Sequence, residues 1–362
     1  MPLKSYVTLG RSGLRVSPFC LGTMTFGEDL GGGFGASVED SEKIVAHYLE
    51  QGGNFIDTAN GYTRGHSEKI IGDFFRQGKG KRDRAVIATK FFMNLFAGDP
   101  NGGGAGRKAI VAHCEESLRR LQTDYIDLYY LHNWDRFTPI DETMSALDDL
   151  VKAGKVRYVG FSDSPAWKVA QAQVMAHFRG WTPLIALQIE YSLMQRTVEG
   201  ELVPMAEELG LGVLPWGPLK SGALTGKYTR ANGAKMQGLR GARATAFTEQ
   251  QYDIVDAVAK IAAECNTDSS TVALAWLKAQ SGVSSTIIGA RTLEQLDANL
   301  KALDLTLTPE QIAVLNDVSK PVLNFPADFL THSPSFAHAG ATVDGVSSQA
   351  TFLVPQDDSS RW

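Results

Sequence analysis

Three apolar runs of the sequence end in side chains that can exchange or stabilise protons, and a fourth such side chain follows the first run closely. Asp57 lies at the end of NFIDT, Lys90 ends AVIATK, and His132 ends YIDLYYLH. Tyr62 follows Asp57 by five residues, in a segment rich in Gly, Asn and Thr. A carboxylate, an ammonium, an imidazole and a phenol together predict an acid–base site.

The phenol of Tyr62 is the natural proton donor of this set. A tyrosine with a pKa of about 10 is almost wholly protonated at neutral pH. A unit charge about 4 Å away, at an effective dielectric constant of about 20, contributes about 4 kcal/mol, or about three pK units, before desolvation is subtracted. We therefore expect Lys90 to lower the pKa of Tyr62, and Asp57 to keep Lys90 charged in a partly dry pocket.

The elements that must position these side chains alternate along the chain. Eight apolar runs are each followed by a helical pattern, beginning with FCLGT and ending with STIIGA. Because the runs are apolar on both faces, helices must cover the whole outside of the sheet, which predicts an α/β fold, the (β/α)8 TIM barrel. The alternative, an open doubly wound sheet, would usually contain fewer units and show a domain break.

The two ends of the chain differ from this alternation. SYVTLGRSGLRVSPF reads as an N-terminal β-hairpin, with a Gly-containing turn between two short strands. No linker-like change in composition precedes residue 320, so we expect one catalytic barrel domain over residues 1–320, hairpin included. Residues 321–362, rich in Pro, Ser, Ala and aromatic residues, are expected to be an extended segment packed on or near the barrel.

Active sites in such barrels lie at the carboxyl ends of the strands. Most positions just past the eight predicted strands carry a polar or ring-bearing side chain. In chain order they are Gly22 with Thr23, Asp57, Lys90, His132, Ser162, Gln188, Trp216 and Gly289.

Composition excludes several classes of partner. The net charge of −5 gives no electrostatic reason to expect a nucleic acid or an anionic membrane. The histidines show no metal-ligand spacing, so no metal site is expected. Three widely separated cysteines favour a reducing compartment, and with no leader or spanning segment in view we expect a cytoplasmic protein.

The segment GGGFGA, from Gly31 to Ala36, matches the dinucleotide-binding pattern G-x-G-x-x-G/A. Two features argue against a Rossmann domain. A polar loop, TMTFGEDL, separates the segment from the preceding strand, and Glu39, Asp40 and Glu42 crowd the start of the next helix, where they would repel a pyrophosphate. We predict a flexible loop at the barrel mouth.

Several segments together resemble the aldo-keto reductase family. They cover the chain from about residue 7 to 305 and include GTMTFG, DTANGYTRGHSE, ATK, LHNWD, GFSDS, ALQIEYS, PWGPLKSGALTGKY and IIGARTLEQLDANL. The resemblance implies NAD(P)H-dependent reduction of a small-molecule carbonyl compound to an alcohol. Tyr62 would then be the general acid, with Lys90 and Asp57 tuning it and His132 orienting the carbonyl oxygen.

Each assignment has an ordinary structural alternative. Asp57 could cap a turn, Tyr62 could be a surface loop residue, Lys90 an ordinary strand-end lysine and His132 a structural histidine. The whole protein could also be a cofactor-binding redox sensor, similar to the potassium-channel β subunits that share this family resemblance.

The resemblance also implies where the nicotinamide half of the cofactor binds. Gly22, Thr23, Met24 and Asp57 belong to this part of the mouth, with Ser162 and Gln188 holding the carboxamide. The family's asparagine after the serine is here Asp163, which can accept but not donate a hydrogen bond, so its share in binding is in doubt. Trp216 matches the aromatic residue that stacks on the nicotinamide ring; the alternative is a core tryptophan.

The remaining cofactor residues lie in two later segments. The pyrophosphate is expected on the turn formed by Gly217, Pro218, Leu219, Lys220, Ser221 and Gly222. The adenosine half is expected on Gly289, Ala290, Arg291, Gln295 and Asn299. Because Arg291 could pair with a 2′-phosphate, NADPH is the expected cofactor, with NADH possible; a surface salt bridge is the alternative role for Arg291.

Aromatic and apolar residues flank the predicted site. Those expected to wall the substrate pocket are Met24, Phe91, Phe92 and Trp134, with Phe325 or Phe329 closing over them from the tail. Such walls would suit lipophilic aldehydes or ketones better than free sugars.

Overall fold

The chain begins with a short antiparallel hairpin that covers one end of a barrel. The computed structural model describes residues 2–31, 33–230, 247–355 and 357–361. Strands β1 (Val7–Thr8) and β2 (Arg15–Val16) form the predicted hairpin. Leu9 in its turn and Val16 in β2 are fully buried, and the Arg11 amide donates a hydrogen bond to the Gly210 carbonyl. The hairpin is thereby fixed to the barrel.

Eight parallel strands form one sheet, as the alternation predicts. They are β3 (Phe19–Gly22), β4 (Phe55–Asp57), β5 (Val86–Phe91), β6 (Ile126–Leu131), β7 (Val156–Ser162), β8 (Leu184–Glu190), β9 (Gly212–Trp216) and β10 (Thr286–Gly289). Neighbours in sequence pair with one another, β10 pairs with β3, and a bridge between Val213 and Val283 closes the circle. The (β/α)8 TIM barrel is confirmed.

Ten helices cover the barrel within the described residues up to 320. They are α1 (Val38–Glu50), α2 (His66–Arg76), α3 (Arg107–Leu121), α4 (Ile140–Lys152), α5 (Ala166–Arg179), α6 (Leu202–Leu209), α7 (Glu249–Glu264), α8 (Ser269–Lys278), α9 (Leu293–Leu300) and α10 (Pro309–Val318). No helix in the described ranges is long and apolar enough to cross a membrane. The loop expected between β9 and α7 falls partly on residues 231–246, which lie outside the described residues.

Two apolar layers follow from strands that bury both faces. Inside the barrel, Leu9 and Val16 of the hairpin pack with strand residues such as Cys20, Phe55 and Tyr130. A larger layer joins the outward strand residues to the helices. The interior is therefore filled below the mouth, and the strands are held rigidly where their polar ends emerge.

The GGGFGA segment is a loop, as predicted. β3 ends at Gly22 and α1 begins at Val38, so no strand leads directly into the first glycine. Ser37 caps α1 by accepting from the Asp40 amide, and Glu39 and Asp40 occupy its first turn. A helix start that already carries two acids and a cap is poorly suited to a pyrophosphate. Gly32 lies outside the described residues.

The C-terminal segment, expected to be extended, contains regular elements. Two short helices, α11 (Ala327–Leu330) and α12 (Ser333–His338), precede a hairpin of β11 (Thr342–Val343) and β12 (Val346–Ser347). Leu323 and Ala327 lie beside Gly200, just ahead of α6. Because the helices and strands of this segment are short, they leave no visible periodicity in the sequence.

Candidate active site

The ammonium of Lys90 is the centre of the predicted acid–base site. Asp57 ends β4, and Lys90 lies near the end of the adjacent β5, so both side chains emerge at the same end of the barrel. Lys90 Nζ donates to Asp57 Oδ2 at 2.5 Å, to the Thr58 carbonyl at 2.8 Å and to Tyr62 Oη at 3.1 Å. Lys90 and Asp57 are 0% and 2% exposed. The structure brings together the three residues that the sequence predicts to act as a unit.

The loop that carries Tyr62 has an unusual backbone. Thr63, Arg64 and Gly65 have φ values of 44°, 60° and 93°, and the first two are non-glycine residues in the left-handed region. The Thr63 hydroxyl donates to the Phe26 carbonyl at 2.8 Å and accepts from the Ser67 amide at 3.0 Å. These bonds hold a conformation that costs energy, and they fix the loop where Tyr62 meets Lys90.

Burial changes the expected acidity of Tyr62. Desolvation raises the pKa of the phenol, and the Lys90 charge, which lowers it, only partly compensates. Lys90 lowers this pKa, as expected, but the desolvation that remained to be subtracted is the larger effect in the cofactor-free protein. The physical reason is that the phenolate would lie in a nearly dry site beside Asp57 as well as Lys90.

Lys90 keeps its positive charge although it is buried. Burial alone would lower the pKa of Lys90, but the Asp57 carboxylate and the hydrogen bonds to Asp57 and Tyr62 outweigh it and raise the pKa. Lys90 is thus an ammonium at neutral pH. This agrees with the expected role of Asp57 as its counter-ion.

His132 lies beside Tyr62, just past the end of β6. The two rings make an edge contact with centroids 5.8 Å apart and planes at 77°. Burial, with the nearby Lys90 charge, lowers the pKa of His132 to about 3, so the imidazole is neutral. Its Nδ1 is buried and has no hydrogen-bond partner among the described residues. His132 can therefore offer hydrogen bonding, but not charge, to a bound molecule.

The side chains predicted to hold the carboxamide differ in their availability. Ser162 and Gln188 face each other in the β7–β8 register. Gln188 Nε2 donates to Asp57 Oδ1 at 2.9 Å, whereas Ser162 Oγ is buried without a partner among the described residues. Ser162 Oγ is thus an unused buried polar atom, which fits a hydrogen-bonding ligand at this point of the mouth.

Trp216 is half-buried at the end of β9 and is not a core tryptophan. Its Nε1 donates to Asp163 Oδ1 at 3.0 Å. Asp163 is open to solvent yet has protein on most sides, and the resulting desolvation raises its pKa to about 6, with Glu190 adding to the shift. The Asp163 carboxylate thus has a partner within the protein.

The turn predicted for the pyrophosphate follows β9 directly. Gly217, Lys220, Ser221 and Gly222 all have positive φ values. The space above Gly222 is open to at least 4 Å from where a Cβ would stand. Lys220 Nζ pairs with Glu190 Oε1 at 2.6 Å. An open turn with exposed backbone and one cation suits a phosphate group.

Residues near the start of the barrel support the site more than they line it. Thr23 is fully buried and donates twice to the Asp57 carbonyl, from its amide and its hydroxyl, at 2.9 Å each. A side chain at Gly22 would meet Ile287 at 2.7 Å. Met24, in contrast, is 43% exposed. Of these residues, Met24 alone has a side chain free to contact a ligand.

The residues predicted to bind the adenosine half also differ in whether they are free to contact a ligand. Gly289 has open space where a side chain would stand, and Arg291 is exposed, with Nη1 donating to the Gly33 carbonyl at 2.7 Å. Ala290 is buried, and Asn299 Nδ2 donates to the Gly289 carbonyl at 3.1 Å. Gln295 accepts from the Arg291 amide. Gly289 and Arg291 fit a nucleotide, while Asn299 shapes the loop beneath it.

The expected aromatic walls need correction. Phe91 is fully buried and packs on Tyr129, with ring centroids 4.9 Å apart, because it points to the helical side of β5. In the tail, Phe325 and Phe329 are 80% and 54% exposed and contact each other. The prediction that Phe91 walls the pocket is therefore wrong, whereas closure by Phe325 or Phe329 stays a prediction.

A cavity of about 760 Å³ opens between the loops that follow β5 and β6. Phe92, Met93 and Phe137 line it together with polar residues such as Asn94 and Asn133. Its lining extends to the starts of α3 and α4 and does not include Tyr62, Lys90 or His132.

Glu190 is a residue of the site that sequence reasoning missed. It ends β8, two residues after Gln188, and therefore points to the same side of the sheet. It binds Lys220 and raises the pKa of Asp163. The period of two along the strand would have revealed it.

Comparison with known proteins agrees with this architecture. The profile described as the aldo/keto reductase family matches residues 18–320. An uncharacterized oxidoreductase of Bacillus subtilis is 39% identical over 322 residues, covering 86% of this chain and 95% of its own length. A norsolorinic acid reductase of Emericella nidulans is 37% identical, covering 89% of this chain and 83% of its own. A putative aryl-alcohol dehydrogenase of Saccharomyces cerevisiae is 34% identical, covering 94% and 93%.

The match spans the barrel and every strand end described above. Among the described residues, no group of three or more His, Cys, Asp or Glu side chains is placed to hold a metal ion. The family works with a nicotinamide dinucleotide and small-molecule carbonyl compounds. The protein is an oxidoreductase and belongs to the aldo/keto reductase family.

Proposed function

We propose that the protein reduces aldehydes and ketones to alcohols with NADPH, with Tyr62 as the proton donor. The observation that carries the proposal is the pair of contacts made by the buried Lys90 ammonium. It donates to the Asp57 carboxylate at 2.5 Å and to the Tyr62 hydroxyl at 3.1 Å. A phenol that must give up its proton is thus already bonded to the cation that will stabilise its anion.

The chemistry follows from charge movement at the carbonyl group. NADPH, when bound, supplies the hydride that reaches the carbonyl carbon. As negative charge develops on the carbonyl oxygen, Tyr62 donates its proton to that oxygen. Lys90 stabilises the resulting phenolate, and Asp57 and the Thr58 carbonyl hold Lys90 in place.

The raised pKa of Tyr62 suits this order of events. It keeps the phenol protonated until the substrate oxygen has become basic enough to take the proton. His132 is neutral and lies edge-on to the Tyr62 ring, so it can hydrogen-bond the carbonyl oxygen without adding a second cation. His132 would therefore orient the substrate.

The predicted cofactor surface supports a nicotinamide dinucleotide. Ser162 Oγ is buried without a partner, Trp216 offers a half-exposed ring, and Gly289 leaves open space. Arg291 would exchange the Gly33 carbonyl for the 2′-phosphate, which favours NADPH over NADH. The proposed compartment is the cytoplasm, because Cys20, Cys114 and Cys265 are all unpaired.

The relatives suggest the class of substrate. Two of them are named for an aryl alcohol and for norsolorinic acid. Phe92, Met93 and Phe137 line the cavity between the loops that follow β5 and β6, and they can pack against a ring. We therefore propose aromatic aldehydes and ketones as the substrates.

The test is NADPH oxidation with a panel of aromatic aldehydes in the wild type and in Tyr62→Phe. Loss of the proton donor should lower kcat by at least about 10²-fold, because general acid catalysis contributes about 10²–10⁴-fold. Cofactor affinity, measured by fluorescence titration, should stay within about threefold, since the phenyl ring is kept. Equal turnover in the two proteins would refute the role of Tyr62. Cofactor binding without turnover in the wild type would instead favour the redox-sensor alternative.

A further inference from the structure

Two of the three side chains expected to bind the carboxamide already serve the protein. Gln188 donates to Asp57, and Asp163 accepts from Trp216. Ser162 Oγ alone is buried and without a partner among the described residues. The Asp163 carboxylate thus already has a partner within the protein, the Trp216 indole, through one of its two oxygens.

The backbone sets Asp163 firmly in place. Asp163 has a φ of 41°, in the left-handed region, and its amide donates to the Gln188 carbonyl at 3.2 Å. Trp216 is fixed at its backbone by pairing with Glu190 in the β8–β9 register. Its ring is half-buried and has one hydrogen-bonding atom, Nε1. The bond from Nε1 to Asp163 Oδ1 is the polar contact that sets the direction of the indole plane.

We propose that Asp163 is a positioning residue that orients the indole of Trp216, and so sets the surface on which the nicotinamide ring stacks. The stacking step rests on the proposed function. The contact between Asp163 and Trp216 does not, and it can be measured in the protein without cofactor.

The acceptor in this contact changes its charge in an accessible range of pH. The charged and titratable groups around Asp163 are Glu190 from β8, Lys90 from β5, Tyr62 from the loop after β4, and Lys220, which pairs with Glu190. Desolvation is the main reason that the pKa of Asp163 is raised to about 6. Above that pH the indole donates to a carboxylate, and below it to a neutral carboxyl, which is a weaker acceptor. His132, with a pKa of about 3, does not titrate in this window.

Three variants separate position from charge. Asp163→Asn keeps the Oδ1 acceptor but cannot ionise. Asp163→Gly removes the side chain and tolerates the positive φ, which alanine would not. Trp216→Phe keeps an aromatic ring and lacks the Nε1 donor. The two Asp163 variants change no side chain of the barrel core, whereas Trp216 is half-buried and packs against the interior apolar layer.

The first measurement is the indole N–H resonance of Trp216 in cofactor-free protein labelled with ¹⁵N-tryptophan. The sequence contains six tryptophans, and the peak that disappears in Trp216→Phe is assigned to Trp216. In the wild type this peak should move with a midpoint near pH 6, where Asp163 titrates. It should be insensitive to pH in Asp163→Asn and Asp163→Gly. A Trp216 peak that titrates identically in the wild type, in Asp163→Asn and in Asp163→Gly would overturn the proposal.

The second measurement is the Kd for NADPH by isothermal titration calorimetry. Asp163→Gly should weaken binding roughly 3- to 30-fold, the range for losing one hydrogen bond that orders a binding group, while Asp163→Asn should stay within about threefold. In the Trp216→Phe background, Asp163→Gly should have no further effect, because the indole that it orients is gone. An undiminished effect there would show that Asp163 binds the cofactor directly, and would overturn the proposal.

The two measurements also separate this proposal from the proposed function. If no variant, nor the wild type, binds NADPH while the Trp216 peak still depends on Asp163, the proposed function fails and the positioning of the indole is supported. If NADPH binds and is oxidised while the peak ignores Asp163, the proposed function stands and the positioning role is refuted.

Discussion

The two halves of the barrel mouth differ in the burial of their polar side chains and in the partners that these side chains bind. On the β4–β6 side, Lys90 donates to both Asp57 and Tyr62, and Lys90 and Asp57 are almost wholly buried. On the β7–β10 side, Asp163 and Arg291 are exposed, and they are bonded to other parts of the protein.

The difference is between groups that are already arranged for proton transfer and groups that must leave a protein partner before they can bind the nucleotide. The groups proposed to move a proton need no rearrangement, which is the arrangement that lowers the cost of charge movement. Some groups proposed to bind the nucleotide, such as Arg291 and Lys220, would first leave a protein partner, so part of the binding energy would be used in exchange. Changes on the first side should therefore affect chemistry and stability, and changes on the second side affinity.

The largest effect is expected from breaking the first side with Lys90→Met. Activity should fall at least about 10²-fold, because the phenolate loses its cation. The free energy of unfolding in urea should fall by about 3–5 kcal/mol, since Asp57 becomes a buried, unpaired charge. The control is the double variant Asp57→Asn with Lys90→Met, which should regain stability but not activity. A single variant as stable as the wild type would show that the pair is not desolvated.

A smaller effect is expected from Arg291→Gln on the second side. The Kd for NADPH should rise about tenfold, since one charge-assisted contact with the 2′-phosphate is lost, and the Kd for NADH should be unchanged. Arg119→Gln, on the outer surface of α3, is the matched control and should change neither constant. Equal weakening of both cofactors by Arg291→Gln would contradict recognition of the 2′-phosphate.

The comparison is sharpened by the pH dependence of stability, where the two sides act with opposite signs. The pKa of His132 is about 3 in the folded protein and 6.5 in its ordinary state, so the unfolded chain binds more protons between these values. Its share of stability is therefore lost as the pH falls, by up to about 1.4 kcal/mol per pH unit. Asp163, with a pKa raised from 3.8 to about 6, instead loses stability as the pH rises through that range.

Unfolding in urea from pH 4 to 7 measures both slopes. His132→Gln should flatten the rise of stability with pH, and Asp163→Asn should steepen it. Two variants with the slope of the wild type would contradict the desolvation of His132 and of Asp163.

The sequence predicts the parts of this molecule that depend on regular patterns. Alternating apolar runs and helical patterns identify the barrel, and strand-end positions identify Asp57, Lys90 and His132. Helix α10 was missed although Thr308, Pro309 and Gln311 form a capping box with proline in the first turn. Helix α8 was missed for a different reason. Every residue from Thr271 to Leu277 is buried, so the helix has no polar face to reveal its period.

Two contacts between residues of different strands or strand ends were not predicted from the sequence. The bond from Gln188 to Asp57 joins residues 131 positions apart, and Trp216 meets Asp163 across 53. Neither pairing follows from local spacing, because it depends on the register and on the depth of each side chain in the mouth. The pKa of Tyr62 could not be predicted for the same reason, since it depends on how completely the loop is buried.

The N-terminal hairpin has a consequence for how the Tyr62 phenol would regain its proton. Leu9 and Val16 seal the end of the barrel opposite Tyr62, and the interior above them is filled by residues such as Phe55 and Tyr130. Among the described residues, this packing fills the axis of the barrel. In the proposed mechanism, the proton that restores the Tyr62 phenol after each turnover must then arrive from the open side, along the route by which the alcohol departs.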